Sequence, residues 1–171
     1  MARLIKHRRL TNDSWSLLSA GAALADVPAT GDVIVPLALW RGHRDVLAER
    51  AGRTGVWLEG HGDPSAIAAD LERLPLVAVN FPKFSDGRGF SAGRLLRERY
   101  GFKAELRAIG DVLRDQLVFL HRCGFDAFAL RDDQDAEAAA AAFDDFTEAY
   151  QAGVDEPLPL FRRRPAGESS R

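Results

Sequence analysis

A chain of 171 residues with 46% hydrophobic and 28% charged residues is long enough to bury one core and too evenly mixed for a disordered segment. Its formal net charge of -2 supplies no global field toward nucleic acid or an anionic membrane, so neither is an expected partner. The lone Cys123 excludes an intramolecular disulfide, and also a four-thiolate cluster or structural zinc site supplied by this chain alone.

A single thiol suits a reducing compartment. No apolar run is long enough to span a bilayer, and Met1 to Lys6 lack the apolar core of a signal peptide. The expected location is the cytoplasm.

In chain order, Leu4 to Leu18 reads as a short hairpin around the polar turn Asn12-Asp13-Ser14. Val33 to Leu39 is a β-branched strand that Pro36 shortens or places at an edge. His43 to Arg50 is a short helix, and Val56-Trp57-Leu58 a second strand. Asp63-Pro64 reads as an N-cap with proline at the first helical position, opening a helix to about Arg73. Leu76 to Asn80 is a third strand, apolar enough for burial on both faces. The loop Phe81 to Gly89 leads to a helix over Ser91 to Tyr100, then a fourth strand over Leu106 to Ile109.

Gly110-Asp111 turns into a helix with Leu113, Leu117 and Leu120 at helical spacing, stopped by Gly124. Phe125 to Leu130 is a fifth strand. A last helix carries Ala136, Ala140, Phe143, Phe146 and Tyr150 on one face. The pattern predicts a single α/β domain over 1–156 and a basic tail over 157–171. About five parallel strands alternate with helices, as an open doubly wound sheet or a partial barrel, and the open sheet covered on both faces is the first choice.

Parallel sheets bind ligands beyond the carboxyl ends of their strands. That rule selects Asn80, Lys83, Asp86 and Arg88 after strand three, and Gly110, Asp111, Arg114 and Asp115 after strand four. Arg131, Asp132 and Asp133 follow strand five. Between Lys83 and Arg107 seven basic residues face three acids. With Ser91 at a helix start, this predicts an anion- or partner-facing surface of Asn80, Lys83, Asp86, Arg88, Ser91, Arg107 and Arg114. The competing expectation is a plain turn and a solvated helix face.

Asp111 and Asp115, four apart on the same helical face, could bind a divalent cation through oxygen or supply an acid/base group; the competing expectation is that Asp111 caps the helix and Asp115 complements its dipole. The four histidines form no metal-ligand spacing, and no metal site is expected. His61 lies on an expected loop. Cys123, two residues from His121 on a helix, reads as a packed small side chain. Neither a dinucleotide fingerprint, a Walker loop nor a nucleophile elbow is present. The basic runs Lys6 to Arg9 and Arg162 to Arg164 lack interleaved aromatics and read as solvated.

The stretch Asn80-Phe81-Pro82-Lys83-Phe84-Ser85-Asp86-Gly87-Arg88-Gly89-Phe90-Ser91, with Leu95-Leu96-Arg97 and Tyr100-Gly101-Phe102, resembles a bacterial family of unknown function encoded beside assimilatory sulfite reductase. The likeness continues through Glu105 to Gln116 and Arg122 to Phe128. It implies a place in the conversion of sulfite to sulfide, with sirohaem sulfite reductase as partner. It transfers no catalytic residues. Two expectations follow: an accessory or electron-delivery protein, with an unknown cofactor for which non-covalent flavin is one option, or a free-standing enzyme or binding protein for a small oxyanion or phosphate-bearing ligand.

Overall fold

The computed structural model describes residues 3–145 and 149–163. Among the described residues eight strands form one sheet: β1 Arg3–Lys6, β2 Arg9–Asn12, β3 Ser16–Leu17, β4 Val33–Pro36, β5 Thr54–Glu59, β6 Leu76–Phe81, β7 Glu105–Gly110 and β8 Ala127–Phe128. Their spatial order is β2-β1-β8-β7-β6-β5-β4-β3. From β3 to β8 every pairing is parallel, while β1 pairs antiparallel with β2 and β8.

That order corrects the first choice of topology. Strands β4 to β8 neighbour one another in sequence order, so the winding never reverses as a doubly wound sheet requires. Right-handed crossovers then place the connecting helices on one face. The sheet curls into a half-barrel. Its two edge strands are joined by the short segment from Asn12 to Ser16. Four extended residues span about 14 Å, whereas eight strands laid flat would separate the edges by roughly 34 Å. Only a curled sheet satisfies both.

Side chains alternate across the strands. Val35, Val56, Leu58, Val77, Val79, Phe81, Leu106, Ala108 and Phe128 face the helices in the main core. Ile34, Trp57, Leu76, Ala78 and Ile109 form a smaller inner cluster, against which Trp15 and Ala129 pack. The helical layer comprises α1 Leu37–Glu49, kinked at His43, then the 3-10 helix Pro64–Asp70, α2 Arg88–Glu98, α3 Leu117–Arg122 and α4 Ala136–Ala140.

All five expected parallel strands are present, joined by β3 as a sixth. The N-terminal hairpin exists, but its turn is His7-Arg8, both at positive φ (48° and 64°). The polar triplet expected as the turn instead begins the connection between the sheet's edges. Asp63 caps as expected, accepting from Ser65 N at 2.8 Å, and Gly124 terminates α3 at φ +99°.

The helix after β7 starts as a 3-10 turn at Arg114–Gln116, not at Asp111. The last expected helix shrinks to Ala136–Ala140 plus the 3-10 turn Ala141–Asp144. Phe146 lies outside the described residues, and Tyr150 is exposed. Beyond 157, Leu160–Arg163 form α5, whose Leu160 N donates to Tyr150 O. Among the described residues no helix is long and apolar enough to cross a membrane.

Candidate functional site

The carboxyl ends of β5, β6 and β7 meet at one rim. Asn80, penultimate in β6, donates from Nδ2 to Glu59 Oε2, at the end of β5, at 3.0 Å. Gly110 closes β7 against them at φ +94°: a Cβ there would lie 2.5 Å from Asn80 Oδ1 and from Phe81 O, so only glycine fits. Beside Asn80 a groove of about 260 Å³ opens between Leu17, Leu18, Ser19, Trp57 and Ile109. It is the solvent-facing end of the inner cluster.

The loop after β6 is clamped from the next connection. Phe84 N donates to Asp111 Oδ2 at 2.8 Å, and Phe84 O accepts from Gln116 Nε2 at 2.9 Å. Asp111 N in turn donates to Phe81 O at 2.7 Å. The other oxygen of Asp111 accepts from Arg131 Nη1 at 2.6 Å, and Arg131 grips Asp133 through two further bonds. These hydrogen bonds, led by Asp133, raise the Arg131 pKa, and Arg131 lowers that of Asp133. A loop with both polar groups of its central residue satisfied is a fixed platform.

On that platform Phe84 is 59% exposed. Gln116 is followed one helical turn later by Phe119, 56% exposed, whose ring packs 4.8 Å from the half-buried Phe90. Phe84 is thus exposed on a fixed backbone, and Phe119 is exposed with its ring packed on Phe90.

The expected anion surface does not assemble as a cluster of free cations. Arg88 forms a two-point pair with Asp86, at 2.9 and 2.6 Å. The Arg88 side chain, then its backbone N–H, hold the Asp86 carboxyl down at about 2. Arg114 donates to Asp145 Oδ2 at 2.8 Å. Arg107 is 2% exposed and bonds Glu105 and Asp13 on the inner face, away from the rim. As the third residue of β7 it has the same parity as Glu105 and Ile109, so the pleat turns it inward.

Lys83 and Ser91 are exposed at the rim and on α2. Gly89 serves packing: a Cβ there would lie 2.6 Å from the Phe81 ring.

The helical face expected to carry both Asp111 and Asp115 does not form. Asp111 precedes the helix and holds the loop, while Asp115 is exposed in the first 3-10 turn, so the two share no helical face. Asp111 is no helix cap either, since position 113 occupies that place. Cys123 is buried, and burial raises its thiol pKa, consistent with a packing role. His61 is exposed and lies close enough to Asp86 to favour its charged form.

Glu59, Gln116 and Phe119 are rim residues that the sequence reading passed over. Glu59 ends the second parallel strand, so the carboxyl-end rule already pointed to it. Gln116 and Phe119 carry no such signal, because the loop they support is distant in sequence.

No curated protein matches the chain. Residues 55–161 match the family described as "Bacterial protein of unknown function (DUF934)". The match takes in β5 to β8, the clamped loop and the aromatic rim, which is more than half of the 171 residues. The chain belongs to this family of bacterial proteins of unknown function.

Proposed function

We infer that the protein is an accessory component of assimilatory sulfite reduction, acting with sirohaem sulfite reductase in converting sulfite to sulfide. The observation that carries this reading is the commitment of Asp111. Asp111, one of the two acid/base candidates of the motif, gives one oxygen to the Phe84 amide and the other to Arg131. A carboxylate so engaged works as a brace. The motif residues that suggested the pathway are thus employed in holding a surface rigid, and a rigid surface with exposed aromatics suits docking. The neutralised Arg88 and Arg114 weigh against a free-standing anion site for the same reason.

The test is reconstitution. Purified chain added to sirohaem sulfite reductase and its electron donor should form a complex and raise the rate of sulfide formation. A host strain lacking the protein should grow poorly on sulfite as sole sulfur source. If the deletion strain matches its parent and the purified proteins neither associate nor affect turnover, the reading is abandoned. The visible spectrum of protein isolated from its own host separates a flavin-carrying electron donor from a colourless docking protein.

A further inference from the structure

Glu59, Asn80 and Ile109 form one layer across the inner face of the sheet. Glu59 is in register with Asn80, and Asn80 with Ile109, where β5, β6 and β7 end. The groove of about 260 Å³ lies at this layer, walled by Leu17, Leu18, Trp57 and Ile109. The Trp57 indole N–H donates to Leu18 O at 2.9 Å, so the ring and the wall beside it are fixed together. This groove is distinct from the aromatic surface of the helical side, where Phe119 rests on Phe90 and Phe90 on the main core.

The polar groups of the layer leave acceptors open. Asn80 Nδ2 donates to Glu59 Oε2 at 3.0 Å, which turns the amide oxygen the other way, toward Gly110 of β7. Among the described residues no donor reaches Asn80 Oδ1 or Glu59 Oε1, and neither atom is buried. Glu59 has no ion-pair partner among the described residues. No basic residue lines the groove. Arg107, the inward cation one layer below, is committed to Glu105 and Asp13.

An apolar slot edged by one neutral and one charged acceptor is matched by a body with apolar faces and positively charged N–H donors. An unpaired carboxylate repels an anion. The volume falls below the roughly 300–1,000 Å³ of sites for drug-sized molecules, so the slot suits a single ring with its charged substituent.

We propose that this groove binds a small planar organic cation of the amidinium or guanidinium type. Its apolar body lies against Trp57, Leu17 and Ile109, and its N–H groups donate to Asn80 Oδ1 and Glu59 Oε1. The site is independent of the accessory role, since it is complete in this chain.

The experiment is NMR titration of the full chain with three near-isosteric probes: benzamidine, neutral benzamide and anionic benzoate. Saturable shifts should centre on the Trp57 indole N–H and on the Leu17, Leu18 and Ile109 signals. Benzamidine should bind about tenfold or more tightly than benzamide, because its charged donors meet a carboxylate, and benzoate should bind least. Glu59→Gln keeps an acceptor for the Asn80 amide and removes the charge. It should bring benzamidine to the affinity of benzamide and leave benzamide unchanged, a split that a merely structural role of Glu59 would not produce. Circular dichroism and the thermal midpoint confirm that the variant folds. A wild type without saturable benzamidine shifts overturns the proposal. So do shifts centred outside the groove, benzoate binding as tight as benzamidine, or an amidine preference that survives Glu59→Gln. The readout uses the purified chain alone, so its failure leaves the accessory role standing.

Discussion

Asp111 and Phe84, twenty-seven residues apart in sequence, are joined by a 2.8 Å hydrogen bond from the Phe84 amide to a carboxylate oxygen. This bond fixes the loop between β6 and α2 to the loop after β7. Amide exchange at Phe84 reports it directly. Asp111→Ala should accelerate that exchange about tenfold or more, because among the described residues no other acceptor reaches the amide. Asp111→Asn keeps an acceptor oxygen and should retain most of the protection. Equal exchange in wild type and Asp111→Ala would show that the clamp does not hold.

Arg107 joins Asp13 at 2.8 Å and Glu105 at 2.6 Å while 2% exposed. Removing one member of such a buried cluster leaves uncompensated charge, at a cost of about 3–5 kcal/mol. Arg107→Ala should lower stability by that order in urea unfolding. Arg107→Lys keeps the charge but cannot bridge both carboxylates, and should fall between. Neither substitution should disturb the clamp at the rim, a contrast visible as unchanged amide exchange at Phe84.

Asp86 sets a pH dependence. Its carboxyl is lowered from 3.8 to about 2, first by the Arg88 side chain and then by the Arg88 backbone amide. The native state therefore binds this proton less readily than the unfolded chain. The pair's stabilising contribution is present above the unfolded value near 3.8 and is lost as pH falls toward about 2. Carboxyl carbon NMR should place the Asp86 midpoint near the lower value. Arg88→Gln should move it back toward the ordinary aspartate range.

Gly93 on α2 leaves room for the Phe125 ring. An added Cβ would lie 2.6 Å from Phe125 Cζ, inside the core. Gly93→Ala should destabilise by about 1–3 kcal/mol, the usual cost of overpacking. Phe125→Leu in the same chain should recover part of that loss, so the two changes will not add. Strict additivity in urea unfolding would argue against the contact.

The strands were legible because local composition decides them. Leu76 to Val79 is uninterrupted apolar chain, which a strand covered on both faces requires. Asp63 and Gly124 were legible because caps and stops act on their own backbone. The direction of winding was not, since each crossover looks alike in sequence whichever side its strand is added.

The hairpin turn was misplaced because His7 and Arg8 adopt positive φ without being glycine or asparagine, while Asn12-Asp13-Ser14 has turn composition but forms only a local bond from Trp15 N to Asp13 Oδ1, outside the hairpin. Arg107 was assigned to the rim by counting charge along the chain. Strand parity, available from Ile109 two residues on, turns it inward. The Asp111–Asp115 pairing assumed a helix that in fact begins at Arg114.

Strand β1 pairs with β8, aligning Ile5 with Phe128. During synthesis the first of these emerges long before the second, so Leu4 and Ile5, buried in the finished protein, have no sheet to join while most of the polypeptide is still being made. Closure of the amino-terminal strap is consequently a late event dominated by long-range pairing, the kind of step that slows maturation and leaves apolar residues open to chaperones.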